Sequence, residues 1–172
     1  MREIFRYAMV TVGFRYGSYA AGLSLLAALI LFAFKFDPMG QFRLLLGLLT
    51  VIVMILAIRN YKYIYNQGSM NVTHGFMVAL AVGLVSAVLY SLTLFVWISF
   101  SDKLWALHIN DQLRTLEQGR VTIEQNYNAG QIELLQESIR NASRSYLAVF
   151  TAVFRLLWSL IAGFMISIYY RN

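Results

Sequence analysis

Four apolar runs dominate the chain, at residues 16–34, 42–58, 76–100 and 146–169, and each is closed by charged or turn-forming residues. The first stops at Lys35, Asp37 and Pro38, and the fourth is interrupted once, by Arg155. A helix needs about 20 mainly apolar residues to cross a hydrocarbon core of about 30 Å. All four runs approach or exceed that length; the second is short enough to stand upright and the third long enough to tilt. None alternates strictly between apolar and polar positions, which excludes barrel strands and leaves helices to satisfy the backbone in lipid. The pattern predicts an all-α polytopic membrane protein with four transmembrane helices in a single domain over residues 1–172. The first run is longer than the core of a secretory signal and Phe34-Lys35-Phe36-Asp37 offers no small-residue cleavage site, so it is expected to be retained.

Residues 101–145 carry a different rhythm. Trp105, Ile109, Leu113 and Leu116 recur at helical spacing, as do Ile132, Leu135, Ile139, Ala142 and Tyr146, and each set draws one apolar stripe. Turn residues lie between them, at Gln118-Gly119 and from Asn126 to Gly130. This predicts an extramembrane helical hairpin between helices three and four. Its arms continue the flanking spans and pack as a short antiparallel coiled coil, reaching roughly 25 Å beyond the lipid.

Composition agrees with lipid as the main solvent: 59% of the 172 residues are hydrophobic and 13% charged, with a mean hydropathy of +0.62. The net charge of +6 is scattered at the ends of the apolar runs, with no basic patch interleaved with aromatics, so nucleic acid is not an expected partner. Arg2, Arg6, Arg15, Arg59, Lys62 and Arg171 fall on the side of the two termini, against Lys35 and Arg43 in the opposite short loop. The long segment 101–145 carries five cations but six acids. Counting short flanks alone, both termini are expected in the cytoplasm.

Several residues are candidates for packing or chemistry. Gly75, Ala79, Gly83 and Ala87 share one face of helix three, Gly13 and Gly17 one face of helix one, and Ser159, Gly163 and Ser167 one face of helix four. Small residues at this spacing let helix backbones approach closely in lipid, so Gly17, Gly75, Ala79, Gly83, Ala87 and Gly163 are expected packing positions, within the bundle or between two copies in a homo-oligomer. Arg155 lies on the same face as Ser159. A charge inside a span is a functional candidate, as a site for an anionic lipid head group or an ion pair. Its stem has the length to snorkel toward Asp102 or Asp37, while no acid lies in any span to support ion-coupled transport. The chain has no cysteine and only two histidines, His74 and His108, far apart in sequence, so neither thiol chemistry nor a metal site is expected. Phosphate-binding glycine loops, paired metal-binding histidines and nucleophile-elbow serines are absent, and no catalytic or cofactor-binding residues are assigned.

Arg15-Tyr16-Gly17 opening helix one, Ile58-Arg59-Asn60-Tyr61-Lys62 closing helix two, and Gly68-Ser69-Met70-Asn71 leading through Gly75-Phe76 into helix three give the chain a family likeness. It resembles the bacterial four-span membrane proteins grouped as domain of unknown function 4199, most specifically between Gly47 and Phe100. The resemblance implies the inner membrane of a Gram-negative bacterium. It also implies association with a glycosyltransferase of the polyprenyl-phosphate type, an accessory role in envelope sugar-lipid assembly.

Together these readings point to a non-enzymatic membrane protein, a scaffold or accessory subunit of a cell-envelope complex that meets a protein partner through residues 101–145. The alternative is a small transporter or lipid-handling protein that holds an anionic head group through Arg155.

Overall fold

The computed structural model describes residues 2–120 and 129–171. Among them are six α-helices: α1 (Arg2–Ala33), α2 (Arg43–Asn60), α3 (Val72–Phe100), α4 (Asp102–Gln118), α5 (Ala129–Arg140) and α6 (Arg144–Tyr169). A π-helical turn, Tyr61–Tyr65, prolongs α2. Four helical stretches, Tyr7–Ala33, Arg43–Tyr65, Val72–Phe100 and Arg144–Tyr169, are long and apolar enough to cross a membrane. This is the predicted all-α, four-span architecture. Helix one starts well before the expected Tyr16: α1 runs unbroken through Arg6 and Arg15. The exposed Arg15 lies against its own helix, donating to the Tyr19 hydroxyl one turn on.

The helix ends follow from local chemistry. Beyond Ala33 the chain reverses through Lys35 in the left-handed region (φ 63°), with Phe36 N–H donating to Leu31 O and Lys35 N–H to Phe32 O, which satisfies two carbonyls of the last turn. Asn71 caps α3 by accepting from the His74 backbone N–H. At the far end of α3 the backbone opens at Ser101 (φ −121°, ψ 91°), whose hydroxyl caps α4 by accepting from Leu104 N–H. The hairpin is therefore jointed to α3 and does not continue it. On the terminal side, the buried Lys62 donates to the carbonyl of Tyr170 just past α6, a cation where the helix dipole favours one.

α3 is the axis of the bundle, with α1 on one face and α6 on another. Lipid gives apolar helices no reason of its own to associate, so contact depends on close backbone approach. Gly13 of α1 sits against Ala81, and Gly17 against Val82 and Val85. On the other face, Gly75 meets Ser167, Ala79 meets Gly163, and Gly83 meets Ser159, so each step of four residues along α3 matches a step of four back along α6. A Cβ at Gly83 or Gly163 would lie 2.5 or 2.6 Å from the facing Cβ. Ala87 is buried further along α3, while Gly22 of α1 faces open space. α2 lies across both, placing the fully buried Met54 beside Gly163 and the Trp158 indole over Gly47. The seams are thus filled within one chain.

Two apolar clusters result. One, on the terminal side, gathers Ala8, Val12, Met54, Ile58, Tyr61 and Val78; the other, toward the hairpin, gathers Ala28, Leu46, Tyr90, Leu94, Ile98 and Leu104. Leu104 carries α4 into this second cluster. The coiled-coil expectation is met only in part. On the return arm Ile132 is buried and Ile139 half-buried, but Leu135, Ala142 and Tyr146 are exposed, and α4 buries Leu104 and His108 more deeply than any residue of its predicted stripe. The reason is that α4 packs back on the α1–α2 loop as well as on α5. Of the turn predicted over Asn126–Gly130, residues 126–128 lie outside the described residues, and Ala129 and Gly130 are not turn but the first residues of α5.

The α3–α6 seam makes a direct prediction. Gly163→Val should lower stability in detergent by about 1–3 kcal/mol through overpacking, while Gly22→Val, which meets nothing within 4 Å, should leave the unfolding midpoint nearly unchanged. Equal effects at the two positions would contradict the packing described.

Candidate functional site

Two polar assemblies interrupt the apolar interior. The first surrounds Arg155, which is 5% exposed. Its two terminal nitrogens donate to the Ser86 hydroxyl and the Leu46 carbonyl, each at 3.3 Å, and the guanidinium carbon stands 3.7 Å from the centroid of the Tyr90 ring. Ser24 of α1 donates to the same Leu46 carbonyl, at 3.3 Å. Ser86 is the midpoint of the 29-residue α3, so the charge sits in the middle of the bundle. Arg155 thus ties α6 to α2 and α3, and the shared carbonyl brings in α1.

This differs from the expectation that Arg155 reaches outward to an acid. Asp37 and Asp102 are both engaged elsewhere, Asp37 with His108 and Asp102 with Arg144, each at 2.7 Å. The cation is met instead by two oxygen dipoles and the negative face of a phenol ring, the geometry of a desolvated cation–π contact. Arg155, Ser159, Gly163 and Ser167 form one buried face of α6, turned wholly inward. Such an arrangement holds α6 against α2 and α3.

The second assembly lies where the hairpin meets the bundle. Asp37 forms an Asx turn, its Oδ1 accepting from Met39 N–H at 2.9 Å, and its Oδ2 lies 2.7 Å from His108 Nδ1 on α4. The Asp37 side chain is fully buried and that of His108 nearly so. Gly40 completes the turn: a Cβ there would come within 2.6 Å of Asp111 Oδ2 and 2.7 Å of Asp37 Oδ2, so only glycine lets α4 dock this closely. Burial, and next the charge of Asp37, raises the Asp111 carboxyl above its usual range, while His108 and Arg114 oppose the shift. Among the described residues no three side chains gather as metal ligands. At the base of the hairpin, Arg144 donates to the Ser99 carbonyl at 3.2 Å and lies over the Trp105 ring, joining the end of α3, α4 and the start of α6.

Between α4, α5 and the first turns of α2 and α6 lies a cavity of about 250 Å³. Arg43, Trp105, His108, Gln112, Tyr146 and Phe150 are among its lining residues. Only part of this was signalled by sequence. Arg43 reads as an ordinary flanking cation, and the 71 residues between Asp37 and His108 hide their pairing. The Asp37-Pro38-Met39-Gly40 turn was the one local sign of a constrained loop. His74, at the start of α3, makes an edge contact with the Tyr61 ring.

Fold and site together define an all-helical, four-span membrane protein. The chain belongs to the family described as Protein of unknown function (DUF4199), which matches residues 15–170. No curated protein and no solved structure matches it.

The shift of Asp111 has a definite sign. Its folded-state carboxyl is raised, so the stability it contributes is full below the ordinary carboxylate range and is lost as pH rises through the raised value. Asp111→Asn should therefore match the wild type in thermal unfolding at about pH 3–4 and exceed it at about pH 7. Parallel pH profiles for the two proteins would show that the Asp111 carboxylate is not strained by this packing.

Proposed function

We propose that the protein is a non-catalytic accessory subunit of a bacterial cell-envelope complex. It lies in the inner membrane with both termini in the cytoplasm and presents the α4–α5 cap to a protein partner. The observation that carries this reading is the cap itself. It is braced to the bundle by Asp37–His108 and by Arg144, and it shows two apolar side chains, Leu134 (66% exposed) and Leu135 (45%), beyond the membrane-spanning helices. Leucines facing lipid need no explanation, but adjacent ones on an extramembrane helix favour a covering partner. A glycosyltransferase acting on polyprenyl phosphate is the partner we favour, on the strength of the family resemblance.

The inward-turned polar groups of α6 support a non-catalytic role, since the Arg155 charge midway along the bundle is bound by the protein's own atoms. The rival reading of Arg155 as a head-group site has less support. A residue 5% exposed and already bound to Ser86, Leu46 and Tyr90 offers little to a lipid.

A photoreactive amino acid replacing Leu134 should yield one discrete protein adduct in intact cells, and Leu134→Glu with Leu135→Glu should abolish copurification of that protein without changing the unfolding temperature. Labelling of lipid alone, or an association indifferent to both charges, would count against the scaffold. Because the chain has no cysteine, Ser69→Cys and Glu137→Cys offer clean sidedness probes, expected to react from the cytoplasmic and the outer face respectively.

A further inference from the structure

The cavity under the hairpin contains a cation that is held by aromatic rings and has no hydrogen-bond partner for its Nε among the described residues. Arg43, the first residue of α2, places its guanidinium 4.3 Å from the Phe154 ring centroid and 5.1 Å from that of Phe150. Its Nε is buried and has no hydrogen-bond partner among the described residues. A buried donor left unpaired is destabilising, and more so on a charged group. Arg155, by contrast, has both terminal nitrogens engaged.

The surroundings of Arg43 specify what would answer it. Among the described residues, none that lines the cavity is acidic. Gln112, Ser138, Ser143 and Tyr146 contribute neutral polar groups, and the His108 ring, held through Nδ1 by Asp37, forms part of the wall. The rest of the wall is apolar. Tyr146 and Phe150, stacked with their centroids 6.3 Å apart, stand exposed near the start of the α6 span, at the level of a bilayer surface. A volume of about 250 Å³ falls below the roughly 300–1,000 Å³ of sites that engulf a whole drug-sized ligand. It suits a head group whose chain remains outside, along the exposed rings of α6. Guanidinium with several hydroxyl and amide donors around it matches the many acceptor oxygens of a phosphate.

We infer that the cavity between α4, α5, α2 and α6 binds the phosphate head group of an anionic amphiphile, with Arg43 as the principal contact and the tail lying on Tyr146 and Phe150. This goes beyond the accessory role proposed above and stands or falls separately from it, because it concerns a lipid at the inner wall of the cap and not a protein at its outer face.

The test is equilibrium binding to the full-length protein in detergent, using lysophosphatidic acid, lysophosphatidylcholine of the same chain length, and inorganic phosphate as probes. Lysophosphatidic acid should bind saturably, one per chain, and at least tenfold more tightly than either of the others. Arg43→Gln should weaken it at least tenfold, Arg43→Lys less, and Arg155→Gln, if folded, not at all. Ile109→Trp, which fills the cavity from α4 without removing the cation, should weaken binding as much as Arg43→Gln and keeps the test valid if Arg43→Gln fails to fold. Unchanged affinity in a folded Arg43→Gln or Ile109→Trp protein would overturn the site. Inorganic phosphate binding as tightly as lysophosphatidic acid would overturn the amphiphile, and equal binding of the two lysolipids would overturn the anionic head group.

Discussion

A guanidinium held in the middle of a membrane bundle, with no carboxylate to neutralise it, sets the terms for the rest of this fold. Arg155 cannot be left facing hydrocarbon, where a charge is costly, and it does not reach the bilayer surface. It is stabilised by a ring face, a hydroxyl and a carbonyl drawn from α3 and α2, with Ser24 of α1 on the same carbonyl. Each is a modest interaction. They work together only if the backbones lie close, and that is what the glycines and serines of the α3–α6 seam allow. The small-residue stripe and the buried cation are thus two parts of one device, since the stripe brings the helices near enough for short dipoles to replace a counterion.

The same economy governs the hairpin side. Asp37, in a tight loop between α1 and α2, is paired with His108 of α4, and Gly40 is small enough to let the two elements meet. That contact fixes the cap on the bundle, and in the space left beneath the cap the Nε of Arg43 has no hydrogen-bond partner among the described residues. One arginine is consumed by structure and another is left available, a contrast that follows from which helix faces meet and not from any difference in the residue.

What could be read from sequence follows physical range. The spans were legible because hydrocarbon imposes length and apolarity on every crossing helix. The faces of α3 and α6 were legible because helical periodicity is local: Gly75, Ala79 and Gly83 align on one helix, and Arg155, Ser159 and Gly163 on another, before any contact is known. Their partners were not legible. Arg155 invites a search for an acid, whereas its real partners are a serine, a main-chain carbonyl and a tyrosine ring, groups too common to stand out. The hairpin misled for a similar reason. Its apolar stripes suggested that the arms satisfy each other, while the decisive contact, Asp37 with His108, joins loop and helix across a long sequence separation.

The central claim is that the Arg155 charge is seated on the Tyr90 ring in the bundle interior. The most direct test is a double-mutant cycle of unfolding free energies in detergent, combining Tyr90→Leu with Arg155→Met. Tyr90→Leu alone should destabilise by roughly 2 kcal/mol or more, the scale of a desolvated cation–π contact, and by much less when Arg155→Met is also present. A loss from Tyr90→Leu of the same size in both backgrounds would mean that the ring only fills space, and would contradict the account.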